Sequence, residues 1–374
     1  MTTPIGARRT TRAVMLAVVG VLCAAVAAVI VLHALATASF QRAEALRIEE
    51  TTRLAISQYE LDAAATDAEL EVAVADAALT AAPVGFVSPE TAAALTETRS
   101  ALADAVTAAL ESTVKLSAPL AAPLDPFALW VAADSRLEQA AAAHAAAAEQ
   151  TAAIEALSAA EASTDEAGAA LVASASAIAS TILPANPSVA NIVHLDFLDL
   201  LDALKKRTEL DTQAVALLAD YVTSAGAVRD SHLAEEAEKS GSLYGLRAEV
   251  EAYARSIAGG ALLDFNWEPT VIGYNMAGTA TIERRPPYFY STITLTNSIA
   301  ENWGDIVPVS LVTHEVGHAI TSKCLDTFDA AFGGDYELWA TAWAMSWGFP
   351  AGPSGADSYG TPSPDQVAAA GTCR

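Results

Sequence analysis

The sequence predicts a mainly helical α+β chain with an N-terminal transmembrane helix, an alanine-rich helical stalk and a small C-terminal domain that contains a short sheet. Three features support this prediction: an uncharged apolar run near the N-terminus, a long middle region rich in Ala, Glu, Asp and Thr, and a C-terminal third that holds most of the tryptophans and tyrosines. Five of the six tryptophans lie in that third: Trp267, Trp303, Trp339, Trp343 and Trp347. The predicted segments are an anchor with its cytoplasmic tail at 1–39, a stalk at 40–186, an amphipathic helical segment at 187–242 and a C-terminal domain at 243–374.

The first element is the apolar run at 13–32, which is about long enough to cross a bilayer as a helix. It follows Arg8, Arg9 and Arg12, which should stay in the cytoplasm and leave the rest of the chain on the other side of the cell membrane. Because the run exceeds the usual secretory signal, we expect an uncleaved single-pass anchor. Cleavage at the small residues 36–38 is the main alternative, and a buried core helix is a third.

The middle of the chain should form long helices, because alanine is the best helix former and glycine is nearly absent there. Prolines break these helices near residues 83, 123 and 184. Large residues do not recur at heptad spacing, so a bundle or stalk is expected instead of a strong coiled coil. The leucine-richer segment at 187–242 should brace the C-terminal domain. The histidines expected to be structural are His144, His194 and His232.

The formal net charge of −25 disfavours nucleic acid and anionic lipid as partners, because both would repel the chain.

After a helix that ends at a Gly-Gly pair, β-branched and aromatic residues appear at 262–274 and 288–295. The second stretch alternates as a half-buried strand does. It leads to a buried helix that Asp305 can cap and whose first turn tolerates Pro308.

That helix carries the sequence HEVGH. His314 and His318 are four residues apart, so their rings share one face and can bind one metal ion. Glu315 is rotated away from the ligand positions and can reach a metal-bound water. The plainer alternative is a buried helix whose histidines satisfy local carbonyl groups.

A catalytic zinc site needs a third protein ligand, and no histidine follows His318. The best candidate is Glu337, in the first turn of a helix that Asp335 can cap after the break at 333–334. An acid at this position could also be there only because the helix dipole favours it. The rival carboxylates are Asp326, Asp329, Asp335 and Asp357.

The HEVGH motif, followed about twenty residues later by ELWAT, resembles the gluzincin branch of the zincin metallopeptidases. The resemblance covers the last third of the chain. It implies that His314, His318 and Glu337 bind Zn²⁺ and that Glu315 is the catalytic base. It also implies that the strand at 288–295 is the sheet edge that pairs with an extended substrate.

This chain departs from the gluzincin pattern at Thr341, where that family commonly has an aspartate that orients a zinc-binding histidine. A hydroxyl could accept the same hydrogen bond, but it is less basic and could weaken metal binding. The metzincin alternative would need Gly and His at the positions of Thr321 and Cys324. Tyr359 is a candidate for stabilising the oxyanion.

Three cysteines complete the candidate features. Cys23 would lie in the membrane, so Cys324 and Cys373 are the only thiols expected on the oxidising side, where they could be paired or free.

The expected function is a membrane-anchored extracytoplasmic zinc-dependent peptidase, acting as an endopeptidase on a peptide or protein. The alternative is a non-catalytic cell-surface interaction protein with a degenerate zincin-like domain.

Overall fold

The computed structural model describes residues 7–115, 118, 121–270 and 277–374, with side chains from residue 14 onward. The chain is mainly helical with a small sheet, as predicted. It forms two compact units. The N-terminal unit runs to residue 79 and continues over 90–168, and the C-terminal unit comprises 80–89 and 169–374. The four predicted segment boundaries stay predictions.

The helices are α1 (Ala7–Ala81), α2 (Pro89–Glu111), α3 (Pro126–Ala185), α4 (Asn191–Lys205), α5 (Thr212–Lys239), α6 (Tyr244–Ile257), α7 (Asn297–Glu301), α8 (Ile306–Ala319), α9 (Leu325–Phe332), α10 (Tyr336–Ser346), α11 (Ala356–Tyr359) and α12 (Pro364–Ala370). The strands are β1 (Leu262–Glu268), β2 (Gly278–Ala280), β3 (Glu283–Arg285) and β4 (Tyr288–Thr296). Helix α2 begins at Pro89, directly after Ser88, because proline is tolerated at the first helical position.

The start of α1 is long and apolar enough to cross a membrane, and its side chains over 14–35 are exposed. A signal sequence near the N-terminus would meet the same criterion of length and composition. Residues 1–6 of the predicted cytoplasmic tail lie outside the described part of the chain, and so do the side chains of Arg8, Arg9 and Arg12. Helix α3 also meets the criterion through its many alanines, although a third of its most apolar window is buried.

The N-terminal unit is held together by small side chains at the contacts of α1, α2 and α3. One buried cluster in this unit consists of Leu61, Ala65, Ala68, Leu102, Val106, Ala109 and Leu157. Alanine contributes little area, but its small side chain lets two helix backbones approach closely. Polar contacts supplement this packing. The buried Arg136 on α3 pairs with Glu44 on α1 at 2.7 Å.

In the C-terminal unit, β4 is the central strand of the sheet. Strand β1 pairs with it in parallel, while β2 and β3 pair with it in antiparallel orientation at successive positions. The predicted strand at 288–295 is confirmed, and Ser291, Ile293 and Leu295 form its buried face. Its predicted place at the sheet edge is wrong, because residues 278–280 form a further strand outside it.

Helix α4 joins the amphipathic segment to this sheet. The backbone N–H of Asn191 donates to both carboxylate oxygens of Asp264 on β1 at 2.8 Å. The Asn191 side-chain amide donates to the carbonyl of Ser291 on β4 at 2.9 Å. The segment predicted to brace the C-terminal domain therefore contacts two of its strands through α4, and α5 packs against α4.

The core of the C-terminal unit contains aromatic side chains packed among aliphatic ones. Trp339 and Trp343 on α10 are fully buried, and the Trp339 indole donates to the carbonyl of Gly317 on α8 at 2.8 Å. The two helices come very close at this point, since a Cβ atom added to Gly317 would lie 3.0 Å from the Cα of Ala340. Glycine at position 317 therefore sets the distance between α8 and α10.

The two cysteines left open by the sequence are joined in a disulfide. Cys324, directly before α9, is bonded to Cys373 across a sequence separation of 49 residues, with a Cα–Cα distance of 6.1 Å. The Lys323 ammonium group donates to the carbonyl oxygens of Arg374 and Gly259. These contacts attach residues 373–374 to the segment that follows α8.

Candidate metal centre

Helix α8 presents the two histidines of the motif on one buried face. It begins at Ile306 with Asp305 at the N-cap position and Pro308 in the first turn, as predicted, although the Asp305 side chain makes no capping hydrogen bond. His314 and His318 are both buried. Their ring centroids are 4.8 Å apart, and the ring planes are inclined at 82°.

Helix α10 supplies the carboxylate. Gly333 adopts a left-handed conformation (φ 57°) that ends α9, and the Asp335 side chain then accepts from the backbone N–H of Leu338 at the start of α10. Glu337 lies in the first turn of α10, and its side chain is 44% exposed. This local arrangement is the one the sequence predicts.

Three potential ligand atoms converge. The Nε2 atoms of His314 and His318 are 3.1 Å apart, and Glu337 Oε2 lies 3.2 Å from the first and 3.4 Å from the second. Within the described part of the chain, these residues form a group able to hold a metal ion. None of the rival carboxylates belongs to this group. The histidines predicted to be structural also lie outside it.

The donor set fits a small tetrahedral ion. With ligand bonds of about 2.0–2.1 Å, a tetrahedral site would place neighbouring ligand atoms about 3.3 Å apart. The three measured separations, 3.1, 3.2 and 3.4 Å, bracket that value. Two imidazoles with one carboxylate suit first-row transition metals better than Mg²⁺ or Ca²⁺, which prefer oxygen ligands. The geometry does not select one transition metal.

Both ring nitrogens of His314 have defined surroundings. Its Nδ1 lies 2.9 Å from the carbonyl oxygen of Ser354, which can only accept, so Nδ1 carries a proton and donates. Nε2 is thereby left to face His318 and Glu337. Tyr359 stacks on the same ring with centroids 5.7 Å apart. Gly355 lies so close that a Cβ atom there would be 3.3 Å from His314 Cε1.

Thr341 does not orient a histidine, contrary to what the resemblance to gluzincins implies. Its hydroxyl is fully buried and has no hydrogen-bond partner among the described residues. The acceptor for His314 comes instead from the main chain of Ser354, in the loop between α10 and α11. The departure at Thr341 therefore does not leave His314 without an orienting partner.

Glu315 lies beside the cluster and is 5% exposed. Burial raises the pKa of its carboxyl group, while the neighbouring His318 and His314 act in the opposite direction. Strand β2 lies directly against this carboxylate, since a Cβ atom on Gly278 would be 2.8 Å from Glu315 Oε1. Gly278 was not singled out from the sequence.

The pKa of Glu337 is lowered to about 2 by the imidazoles that contact its carboxylate, first that of His314 and then that of His318. Glu337 is therefore ionised at neutral pH, which is the state in which a carboxylate binds a metal.

Two cavities meet at the cluster. One, of about 340 Å³, is bounded by Val307 and Leu311 of α8 and by the loop that contains Ser354. The other, of about 300 Å³, lies between β2 and the metal-ligand candidates and reaches Tyr336. Glu315 and Tyr359 line both cavities. A molecule that spans the two cavities would pass directly over the cluster.

Comparisons with known proteins give no independent indication of identity: no protein-family model, no curated protein and no solved structure matches this chain.

Proposed function

We propose that this protein is a membrane-anchored, extracytoplasmic zinc-dependent peptidase that hydrolyses peptide bonds. The observation that carries the proposal is the convergence of His314 Nε2, His318 Nε2 and Glu337 Oε2 next to the buried carboxylate of Glu315. A purely structural zinc site is closed by four protein ligands and has no need of a base. Three ligands with an adjacent base are typical of a hydrolytic site.

The roles of the residues follow from their positions. Bound zinc would acidify a water molecule and polarise the carbonyl of the scissile bond. Glu315 would take the proton from that water and later deliver it to the leaving amine. Burial favours this role, because a raised pKa makes the carboxyl group a better proton acceptor than an exposed glutamate. His314 and His318 would hold the ion through Nε2, and Glu337 would complete the three-ligand set.

An extended peptide is the substrate that suits strand β2. Thr296 N–H donates to the Ala277 carbonyl, and Thr281 N–H donates to the Thr292 carbonyl, both at 3.0 Å. Backbone hydrogen bonding alternates along an antiparallel pair, so the N–H and C=O groups of Gly278 and Ala280 point away from β4. They can pair with a substrate strand laid along the edge. The contact between Gly278 and Glu315 would bring that strand close to the base.

The cellular placement depends on the start of α1. An uncleaved anchor preceded by arginines would put the remainder of the chain outside the cytoplasm. The disulfide between Cys324 and Cys373 is consistent with an oxidising compartment. Protease treatment of intact cells should remove the C-terminal unit, whereas full protection of that unit would refute the topology.

A second candidate function is a non-catalytic surface protein whose zincin-like domain has degenerated. Thr341 is the residue that favours it, because its buried hydroxyl has no hydrogen-bond partner in the described part of the chain, which is costly. The two functions differ in what they require of Glu315, which only the peptidase needs.

The decisive experiment separates base from ligand. We expect Glu315→Gln to keep zinc near one per chain while peptide hydrolysis falls by a factor of about 10²–10⁴, the usual cost of losing a general base. We expect Glu337→Ala to lose both zinc and activity. Metal content and cleavage of a peptide library are measured on the same preparations, with and without a chelator.

Glu301→Gln is the matched control, because Glu301 is an exposed carboxylate at the end of α7. It should leave metal content and hydrolysis unchanged. Full activity in Glu315→Gln would refute the peptidase, and full zinc content in Glu337→Ala would place the third ligand elsewhere.

A further inference from the structure

The contact that orients His314 is made by a main-chain carbonyl, so its position depends on what holds that stretch of backbone. The Ser354 carbonyl lies in an irregular loop, 40 residues from the histidine in sequence. A loop carbonyl defines a ring orientation only if the loop itself is fixed. Such partners of a metal-binding histidine set its tautomer and orientation and affect metal affinity.

The loop is attached to α8 by a second, fully buried contact. Ser310 Oγ lies 3.1 Å from Ser354 Oγ, and both serines are 0% exposed. The Ser354 hydroxyl donates to the carbonyl of Pro350 at 2.8 Å, so its only proton is already used. The Ser310 hydroxyl must therefore donate to Ser354 Oγ.

Ser310 and His314 are four residues apart on α8, so both side chains leave the same face of the helix. One turn of helix thus contacts Ser354 twice, once through the Ser310 hydroxyl and once through the imidazole Nδ1–H. Two contacts one helical turn apart restrain both the position and the direction of the carbonyl.

We propose that Ser310 is a positioning residue for the metal centre, acting through Ser354 to keep the His314 ring with Nδ1 protonated and Nε2 free. The Ser354 carbonyl takes the part that the resemblance to gluzincins assigns to residue 341, and Ser310 holds that carbonyl in place. The proposal rests on the proposed function in one respect, namely that His314 is a metal ligand. Ser310 touches neither the ion nor the substrate in this scheme.

The test compares two deletions of a buried hydroxyl from the same helix. Ser310→Ala removes the donor to Ser354. Thr313→Val is the matched control, because the Thr313 hydroxyl is equally buried but contacts Tyr253 at 2.7 Å and not the loop. Zinc dissociation constants of the full chain in detergent are measured by competition with a chromophoric chelator.

We expect Ser310→Ala to raise the zinc dissociation constant about 10- to 100-fold, the usual effect of removing an outer partner of a ligand. Thr313→Val should change it less than threefold. Ser354→Ala should raise it at least as much as Ser310→Ala, because it removes both the acceptor for the Ser310 hydroxyl and the donor to Pro350, and the double variant should be no worse than Ser354→Ala alone. An unchanged constant in Ser310→Ala, or an equal effect in Thr313→Val, overturns the proposal.

A measurement without metal separates this proposal from the proposed function. Nitrogen NMR of ¹⁵N-histidine-labelled, metal-free protein reports which nitrogen of His314 carries the proton. The wild type should show the Nδ1–H tautomer, and Ser310→Ala should show a mixture of tautomers. If the wild type binds no zinc, the peptidase proposal fails while this result still decides the role of Ser310. A pure Nδ1–H tautomer in Ser310→Ala refutes the positioning role.

Discussion

The two compact units differ in how small residues are distributed over their helix contacts. In the N-terminal unit, alanines recur along α1, α2 and α3, so close approach is spread over many positions. In the C-terminal unit, Gly317 against Ala340 is a close contact between α8 and α10, in a core that also contains large aromatic and aliphatic side chains. Many close contacts along three helices hold those helices together as a framework. One close contact between two helices can instead determine the position of a metal-binding side chain that lies next to it.

The positions that surround the candidate site are correspondingly sensitive. Glu337 lies one turn before Ala340 on α10, and His318 follows Gly317 on α8. Any change in the distance between these helices is passed directly to the separation of the ligand atoms. The N-terminal unit has no comparable group of metal-binding side chains among its described residues.

The largest expected effect on stability lies in the N-terminal unit. Leu102→Ala removes a fully buried side chain from the cluster at the contact of α1 and α2 and should cost about 2–5 kcal/mol of unfolding free energy. Hydrogen exchange followed by mass spectrometry should show faster exchange across 41–79 and 90–168. The zinc dissociation constant should stay unchanged, and a large increase would show that the comparison between the units is wrong.

Removing the disulfide should have the next largest effect, this time in the C-terminal unit. Replacing both Cys324 and Cys373 with Ala should cost about 2–4 kcal/mol, because the cross-link restricts the unfolded chain. Exchange should accelerate around α8, α9 and α12 but not in α2. Reduction of the wild type with dithiothreitol serves as the control and should reproduce the result.

Metal removal should act on one unit only. If zinc binds the folded site alone, saturating it at one hundred times the dissociation constant stabilises the C-terminal unit by about 2.7 kcal/mol. A chelator should therefore lower the thermal stability of that unit and leave exchange over residues 90–168, in the N-terminal unit, unaltered. Glu337→Ala is the control, since a chelator should have no effect on a variant that holds no metal.

The sequence predicts those parts of the site that depend on local helix geometry. His314 and His318 share a face because they are four residues apart, and Glu337 follows a cap whose chemistry is readable from Asp335. The long helices of the N-terminal unit are predictable for a similar reason, since alanine content and proline breaks are local properties.

The remaining parts depend on contacts between distant segments. The acceptor for His314 is a main-chain carbonyl, which cannot be recognised from the residue type, so the sequence offers the Thr341 hydroxyl as the candidate acceptor instead. Strand β2 has only three residues, too few for an alternating pattern, and β4 is therefore mistaken for the sheet edge. Gly317 does indicate one contact between distant segments, the close packing of α8 on α10, because a glycine inside a helix often marks close packing.

The smallest expected effect on stability tests the contact between α8 and α10 itself. Gly317→Ala adds a methyl group 3.0 Å from the Cα of Ala340, which is main chain and cannot move aside cheaply. Overpacking of this kind costs about 1–3 kcal/mol of unfolding free energy, partly offset by the higher helix propensity of alanine.

Gly226→Ala on α5 is the matched control, because a Cβ atom at that position meets nothing within 4 Å. This substitution should stabilise the protein by about 1 kcal/mol. Separation of the helices moves Glu337 away from His318, so the zinc dissociation constant should rise at least tenfold in Gly317→Ala and stay constant in Gly226→Ala. A Gly317→Ala protein that loses stability but binds zinc as tightly as the wild type would show that Glu337 is not held in place by this contact.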